Sequence, residues 1–553
     1  MSLHPQTIPA IPSETVRVAQ AAFPHGNIYM QLKDELGSIY QDEAFASLFP
    51  QRGQPAASPW QLAMVTVMQY IENLSDRQAA DAVRSRIDWK YALSLELTDA
   101  GFDSSVLSEF RSRLVRGSGE DILLNLLLDK CRERNWIKAK GRQRTDSTHV
   151  LGWIRATSRL VCAGETLRAA LNSLAIVAPQ WLRQHSPPEW LKRYARRVED
   201  SRLPEGKEKQ AAYALQVGMD GHALLEAVYE QEAGQWLASI PAVEVLRQVW
   251  LQQFGIENGG IFWRSQQQEG IPPAARFISS PYDLQAHYAR KNTTSWIGYK
   301  VHLTETCEED LPHLITNVAT TAGPIPDMDM TQPIHQSLKE KELLPEIHLV
   351  DTGYLDTPLL ATSRQDFGVD LLGPSRANYQ WQAQTKEGFA AASFQLDWQN
   401  QEAICPLGKH SVSWSAYTTP NGIETVKIKF SQKDCSACPG RSKCTKAKRR
   451  SITVHKEEHY LALQAARERE NTEAWKKEYN KRAGIEGTIS QGVRAFGLRR
   501  AKYVGLAKTH LQHVLTATAI NFGRIANWLA DVPWEKTRIS AFEKLMLPLK
   551  TTL

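Results

Sequence analysis

Between residues 296 and 373 the apolar residues of this 553-residue chain change period, which limits the folds open to it. In SWIGYKVHLTET, Ile297, Tyr299, Val301 and Leu303 alternate with Lys300 and His302, the period of two expected of a strand. HLITNVATT reads as a second strand, and a helix near 328–343 leads into EIHLVDTGYLD. There Ile347, Leu349 and Val350 form a short buried strand that ends at Asp351 and a glycine-containing turn. DTPLLATSRQ then starts a helix and VDLLGP reads as another strand. Two adjacent strands followed by strand, helix and strand predict an α/β core with a mixed sheet. A carboxylate at the carboxyl end of such a strand sits where ligand chemistry collects.

Two further carboxylates accompany Asp351. In WIKAKGRQRTDSTHVLGWI a basic stretch leads to Asp146, followed by β-favouring residues, which places it in or at the end of a strand. An isolated Asp-Ser pair more often marks a turn, so Asp146 gains meaning only from its partners. In YNKRAGIEG, Tyr479, Arg482 and Glu486 stand at i, i+3 and i+7, one face of a helix. A carboxylate and a cation so spaced suit a phosphodiester and a divalent metal.

The overall charge of +6 says little about partners. Its distribution says more: Lys476, Lys477, Lys481, Arg482, Arg494, Arg499, Arg500, Lys502 and Lys508 face only Glu478 and Glu486 over 476–508. A solvated helix face could carry the same charges, but their coincidence with the carboxylate motif points to a phosphate-binding surface.

A chain of this length exceeds one hydrophobic core and predicts several modules. No run of 18 apolar residues is present, and MSLHPQTIPAIPSETVRVAQ lacks the pattern of a secretory signal, so a cytoplasmic protein without a membrane partner is expected. Residues 1–138 read as a helical domain in which Ser75 and Gln78 form a capping box. A later helix, starting at Asp103 or Ser104, carries Arg111, Arg113 and Arg116. This pattern resembles a helix-turn-helix DNA reader, and a plain bundle with a basic face fits it equally. The core is expected over 139–155 and 281–380, interrupted by a mainly helical insertion over 156–280; a cysteine-containing β insertion follows over 381–456, then C-terminal helices of the core over 457–535 and a tail over 536–553.

Seven cysteines, four of them crowded together, argue against a secreted disulfide framework. Cys131, Cys162 and Cys307 read as small buried apolar side chains. Cys405, Cys435, Cys438 and Cys444 supply four thiolates around a CxxC knuckle, which suits a structural Zn²⁺. Five residues separate Cys438 from Cys444, more than the common two to four, and an iron–sulfur cluster or metal-free thiols are the alternatives. SVSWSAY and ETVKIKF flank the turn signal Pro420-Asn421-Gly422, so the segment reads as a β-ribbon, with Lys443, Lys446, Lys448, Arg449 and Arg450 as a basic flank.

Asp146, Asp351 and Glu486, with Tyr479 and Arg482 ahead of the glutamate, resemble the DDE triad and Y-x2-R-x3-E signature of bacterial insertion-sequence transposases. The resemblance extends to LSDRQAADAVRSRIDWKYALSLEL and DSSVLSEFRSRL, to GYKVHLTET and HLVDTGYLD, and to the block from RAGIEG to NFGRI. The cysteine insertion is similar to that of a large subgroup. One position departs from the pattern: Val493 stands where a lysine usually follows the glutamate, with Arg494 beside it and Arg499, Arg500 and Lys502 beyond. These four are the expected DNA contacts.

The resemblance implies an RNase H-like core with the two aspartates on adjacent strands and the glutamate on a following helix. It implies that the triad holds two Mg²⁺ (or Mn²⁺) ions, with Asp146 bridging and Asp351 and Glu486 each on one ion. Such ions clamp the attacking and leaving oxygens of a phosphodiester. Arg482 would neutralise a phosphate and Tyr479 would bond or stack at the transposon end. The implied function is cut-and-paste transposition: binding of terminal inverted repeats, strand cleavage, and transfer into target double-stranded DNA by a homodimer on DNA, in some relatives through a hairpin. A transposase-derived DNA-binding protein and a hydrolytic nuclease on the same fold are the alternatives. Asp327, Asp329 and Asp356 read as helix caps, and His149, His302 and His348 as structural or supporting residues.

Overall fold

The computed structural model describes residues 2–533 and 541–546, without 155–157, 231–234, 266–269, 386 and 421. The chain divides into two compact units, residues 1–110 with 518–553 and residues 111–517.

The larger unit is built on a mixed sheet. Its central strand, β1 (Arg142–Leu151), leads into an insertion of helices Arg159–Val177, Lys207–Tyr229 and Pro241–Gln253 closed by a hairpin of β2 (Phe254–Glu257) and β3 (Gly260–Trp263). The chain returns through β4 (His287–Lys291), β5 (Thr294–Thr306) and β6 (Ile315–Ala322), then β7 (Ile347–Leu349) and β8 (Asp370–Leu372). The order is β4-β5-β1-β7-β8 with β6 also on β5; β1 runs antiparallel to β5 and parallel to β7. This is the mixed sheet expected from the pattern over 296–373, and it is consistent with the RNase H-like core that the resemblance implies.

Because side chains alternate across a strand, β1 divides its residues between two faces. Arg144 and Asp146 are tied to the helix Gly484–Phe496 through Glu305 and Arg482, and Thr148, on the same face, accepts from Arg499 just beyond that helix. Thr145 faces the other way, where its hydroxyl pairs with His348 at 2.6 Å, and His348 pairs with His335 of helix Thr331–Glu340 at 2.8 Å. His348 is thus structural, as its sequence context suggests.

The insertion has its own core, including Leu167, Leu174, Val217, Leu246 and Trp250. Gly221 permits the packing: a Cβ there would lie 1.9 Å from Trp250. Helix Arg159–Val177 is long and apolar enough by composition to cross a membrane, yet half of it is buried inside the protein.

The cysteine segment follows β9 (Gln395–Asp397) and β10 (Glu402–Ile404) with a three-stranded antiparallel ribbon of β11 (Ser411–Thr418), β12 (Glu424–Phe430) and β13 (Ser451–His455). Asn421 of the expected turn lies outside the described residues.

In the smaller unit the helix Pro59–Ile71 is almost wholly buried, and Ser75 and Gln78 form the capping box. The short helix Ile87–Ala92 is buried from Asp88 to Ala92 and follows Asp76–Ser85 after only Arg86, so it presents no exposed reading face. Arg111, which belongs to the larger unit, departs from the expected basic face: it is buried, with its guanidinium 6.0 Å from the Tyr503 ring centre.

Candidate active site

Asp146 lies within β1, opposite Leu303 of β5. Asp351 lies two residues past β7, the parallel neighbour of β1, and its carboxylate accepts the Gly353 N–H at 2.8 Å. Glu486 is in the first turn of helix Gly484–Phe496. Tyr479 ends helix Glu473–Asn480, and a 3-10 turn, Lys481–Ala483, carries Arg482 into the glutamate helix.

Arg482 joins two of the carboxylates. It donates to Asp146 Oδ2 at 2.6 Å and to Glu486 Oε1 at 3.0 Å; its side chain is 14% exposed and that of Glu486 is 64% exposed. Burial pushes the Asp146 carboxyl up to about 6, against the pull of Arg482 and the Ser147 N–H, and the charge of Asp351 adds to the rise. Burial opposes the charge on Arg482, but Asp146, Tyr479, Asp351 and Glu486 together hold its pKa above the usual value. All five motif groups therefore share one electrostatic site.

A buried clamp sets the position of the glutamate helix. Arg144 Nε donates to Glu305 at 2.7 Å with both side chains buried, and its Nη1 donates to the Lys481 carbonyl at 2.5 Å. The second Glu305 oxygen accepts from Thr488 at 2.6 Å. Arg144 passes so close to the helix start that a Cβ on Gly484 would meet Nη1 at 2.1 Å, which explains a glycine at that place. Tyr479 stacks on Trp475 with ring centres 4.8 Å apart, and both pack against Cys307, Leu349 and Leu372.

The cap assignments divide. Asp356 caps helix Thr357–Phe367 by accepting the Thr357 N–H, as expected. Asp327 and Asp329 cap nothing: Pro326 holds the cap position of their 3-10 turn, and the following helix begins after Met330 without a side-chain cap. Asp329 is exposed. Asp327 is buried and drawn into ion pairs with Lys300 at 2.7 Å and Lys291 at 3.4 Å, and Ser147 donates to it at 3.2 Å. Burial raises its pKa, but the bond and charge of Lys300 and the charge of Lys291 outweigh this and lower it. His302, buried opposite Ser147, pairs with Tyr354 at 2.6 Å, and burial brings its pKa down to about 3. His149 lies on the Trp296 ring, 5.4 Å between centres.

The C-terminal cations separate in position. Arg499 donates to Thr148 at 2.8 Å, and the segment 499–501 pairs with Leu151 at the end of β1. Arg494, Arg500 and Lys502 are exposed, and Arg494 follows Glu486 by two helical turns on the same helix.

The four clustered cysteines are near enough to influence one another electrostatically. Cys405 and Cys435 pack on a core that includes Cys444, and burial raises the Cys444 thiol, with Cys435, Cys438 and Cys405 adding to the rise. Backbone N–H groups of Lys409 and Arg450 point at Cys405 and Cys435 sulfurs, at 3.3 and 3.4 Å. Such donors stabilise thiolates, and sulfur ligands are the type a soft divalent ion takes, but these four are not arranged in this structure as a closed metal site. Cys131, Cys162 and Cys307 are buried as expected.

At the triad the donors are all carboxylate oxygens, which suit a hard divalent cation, and Arg482 is the positive charge they hold in this structure. Among the described residues no group of three or more His, Cys, Asp or Glu is already arranged to hold a metal ion.

Residues 404–526, from the cysteine segment through the glutamate helix, match the family described as Transposase DDE domain, and residues 17–113 match Transposase domain (DUF772). Neither a curated protein nor a solved structure matches the chain significantly. Together the two family matches indicate an insertion-sequence DDE transposase.

Proposed function

We propose that this transposase binds the terminal inverted repeats of its element, cleaves the strands at their ends and joins them to target DNA. The observation that carries this reading is the single electrostatic site of Asp146, Asp351, Arg482 and Glu486, assembled from β1, the end of β7 and the signature helix.

In this reading Asp146, Asp351 and Glu486 hold Mg²⁺ or Mn²⁺. Bound there, two divalent ions would supply Lewis acidity to the phosphodiester and lower the pKa of the attacking hydroxyl or water. The protein's own residues do the rest. A DNA phosphate competes for the Arg482 guanidinium and frees Asp146 and Glu486 for metal. The Arg144–Glu305 pair keeps the glutamate helix on the sheet during that exchange. Tyr479, stacked on Trp475, would bond or stack at the transposon end. Arg494, Arg499, Arg500 and Lys502 extend a cationic track for the backbone. The cysteine ribbon holds a structural Zn²⁺, and a homodimer on DNA brings two ends together.

A labelled duplex spanning the junction of element end and flanking DNA tests the reading. Wild type with Mg²⁺ should cut at the junction, and Asp351→Asn should bind the same duplex without cutting. Equal cutting by both proteins would remove Asp351 from the site.

A further inference from the structure

We infer that Lys291 is a substrate-binding residue of the active site, a cation held by Asp327 to grip a DNA phosphate beside the scissile bond. The inference rests on the proposed reading of the triad and adds a residue that no signature motif contains.

Charge balance is the first argument. Asp327 is buried, and Lys300, whose side chain is only 9% exposed, already neutralises it at 2.7 Å. A buried carboxylate paired with a buried ammonium is complete, since each has its partner in place. Lys291 is then surplus to the pair. It approaches the second oxygen, Oδ2, at 3.4 Å, and its side chain is 55% exposed. An exposed contact of this kind stabilises a fold by only about 0–1 kcal/mol. Its consequence is positional: the ammonium is tethered at one place while most of the side chain stays open to solvent.

Location is the second argument. Asp327 receives Ser147, the residue after Asp146, at 3.2 Å. It also adjoins the loop of the other aspartate, for a Cβ on Gly353 would lie 2.9 Å from Asp351 Oδ1 and 3.4 Å from Asp327 Oδ2. The Lys291 charge is felt at Asp146 itself. Lys291 is the last residue of β4, at the turn into β5, and β5 carries Lys300. One hairpin therefore supplies both the buried lysine that fixes Asp327 and the exposed lysine that Asp327 fixes.

Chemistry is the third. A site of three carboxylates repels the phosphodiester it must receive, and a cation at its rim offsets that repulsion. Lysine serves as a compact, hydrated point charge that can exchange a carboxylate for a phosphate oxygen. Lys300, enclosed with Asp327, cannot reach DNA, so the two lysines divide the work: Lys300 builds and Lys291 binds.

The test uses the full chain and a fluorescein-labelled duplex of the element's own end, with wild type, Lys291→Ala, Lys291→Arg and Lys300→Met. Binding is titrated over a range of salt. Lys291→Ala should keep the wild-type melting temperature while the slope of log K against log salt becomes shallower by about 0.9, one phosphate contact. Lys291→Arg should restore the slope. Methylphosphonate substitution of single phosphates around the cut should weaken wild-type binding at one position and leave Lys291→Ala unchanged there. Lys300→Met should instead melt early, because it strands Asp327. An unchanged slope in Lys291→Ala, or a methylphosphonate effect that simply adds to the variant's, overturns the inference and leaves the triad reading intact. Absence of specific binding by wild type overturns both.

Discussion

Replacing Arg144 with methionine tests what holds the catalytic glutamate's helix in place. Arg144 and Glu305 have side chains 7% and 0% exposed and meet at 2.7 Å. Without the guanidinium, Glu305 loses the Arg144 donor while keeping the Thr488 hydroxyl, and the Lys481 carbonyl loses its bond to Arg144. Breaking a buried pair from one side costs about 3–5 kcal/mol. At about 1.4 kcal/mol per factor of ten, amides of Gly484–Phe496 should exchange roughly two to three and a half orders of magnitude faster, because that helix is the element the pair secures. Hydrogen exchange read by mass spectrometry gives the answer, with helix Lys207–Tyr229 of the insertion as the internal reference. The double variant Arg144→Met/Glu305→Met should recover most of the protection, since two apolar side chains leave no charge stranded. Unchanged exchange over 484–496 in the single variant, or a double variant no better than the single, would refute the clamp.

Three further outcomes follow from individual contacts. Asp146 binds its proton more tightly in the folded chain, at about 6 against 3.8 for an ordinary aspartate, so its ionisation destabilises the fold, a cost absent below about pH 4 and complete above about pH 6. The melting temperature of Asp146→Asn relative to wild type should rise across that window and level off above it; a difference that falls with pH contradicts the assignment. Gly221→Ala forces a methyl against Trp250 and should destabilise the insertion by about 1–3 kcal/mol, seen as early tryptic cutting within 159–253 while the rest of the chain resists. Elemental analysis should find one zinc per chain, absent from Cys435→Ser, and chelation should change the fluorescence of Trp398 and Trp414, which lie 5.1 Å apart in the ribbon; metal-free protein with the same spectrum would leave the four cysteines as plain thiols.

Much of the core was legible because its signals are local. The period-two run through Ile297, Tyr299, Val301 and Leu303 gave β5, the apolar triplet before Asp351 gave β7, and the capping box at Ser75 marked a helix start that the structure keeps. The spacing of Tyr479, Arg482 and Glu486 put three groups on one face, and a 3-10 turn between two helices preserves that arrangement. What stayed hidden depends on pairings far apart in sequence. Asp327 has the look of a cap because it precedes a helix, and only the fold brings Lys291, Lys300 and Ser147 to it. Glu305 and Arg144 are ordinary charges in two strands until the register places them opposite each other. Arg111 belongs to a basic helical pattern and is nevertheless buried, since periodicity does not say which cation the fold will cover.

The central claim, that Glu486 completes a metal-dependent site for strand cleavage and joining, is tested most directly by incubating wild type and Glu486→Gln with Mg²⁺, labelled element ends and a supercoiled target plasmid. The account predicts ends joined to plasmid by wild type and none by Glu486→Gln, with both proteins retarding the end DNA equally. Specific binding by both without joined products in Mg²⁺ or Mn²⁺, or joining by Glu486→Gln at the wild-type rate, would contradict it.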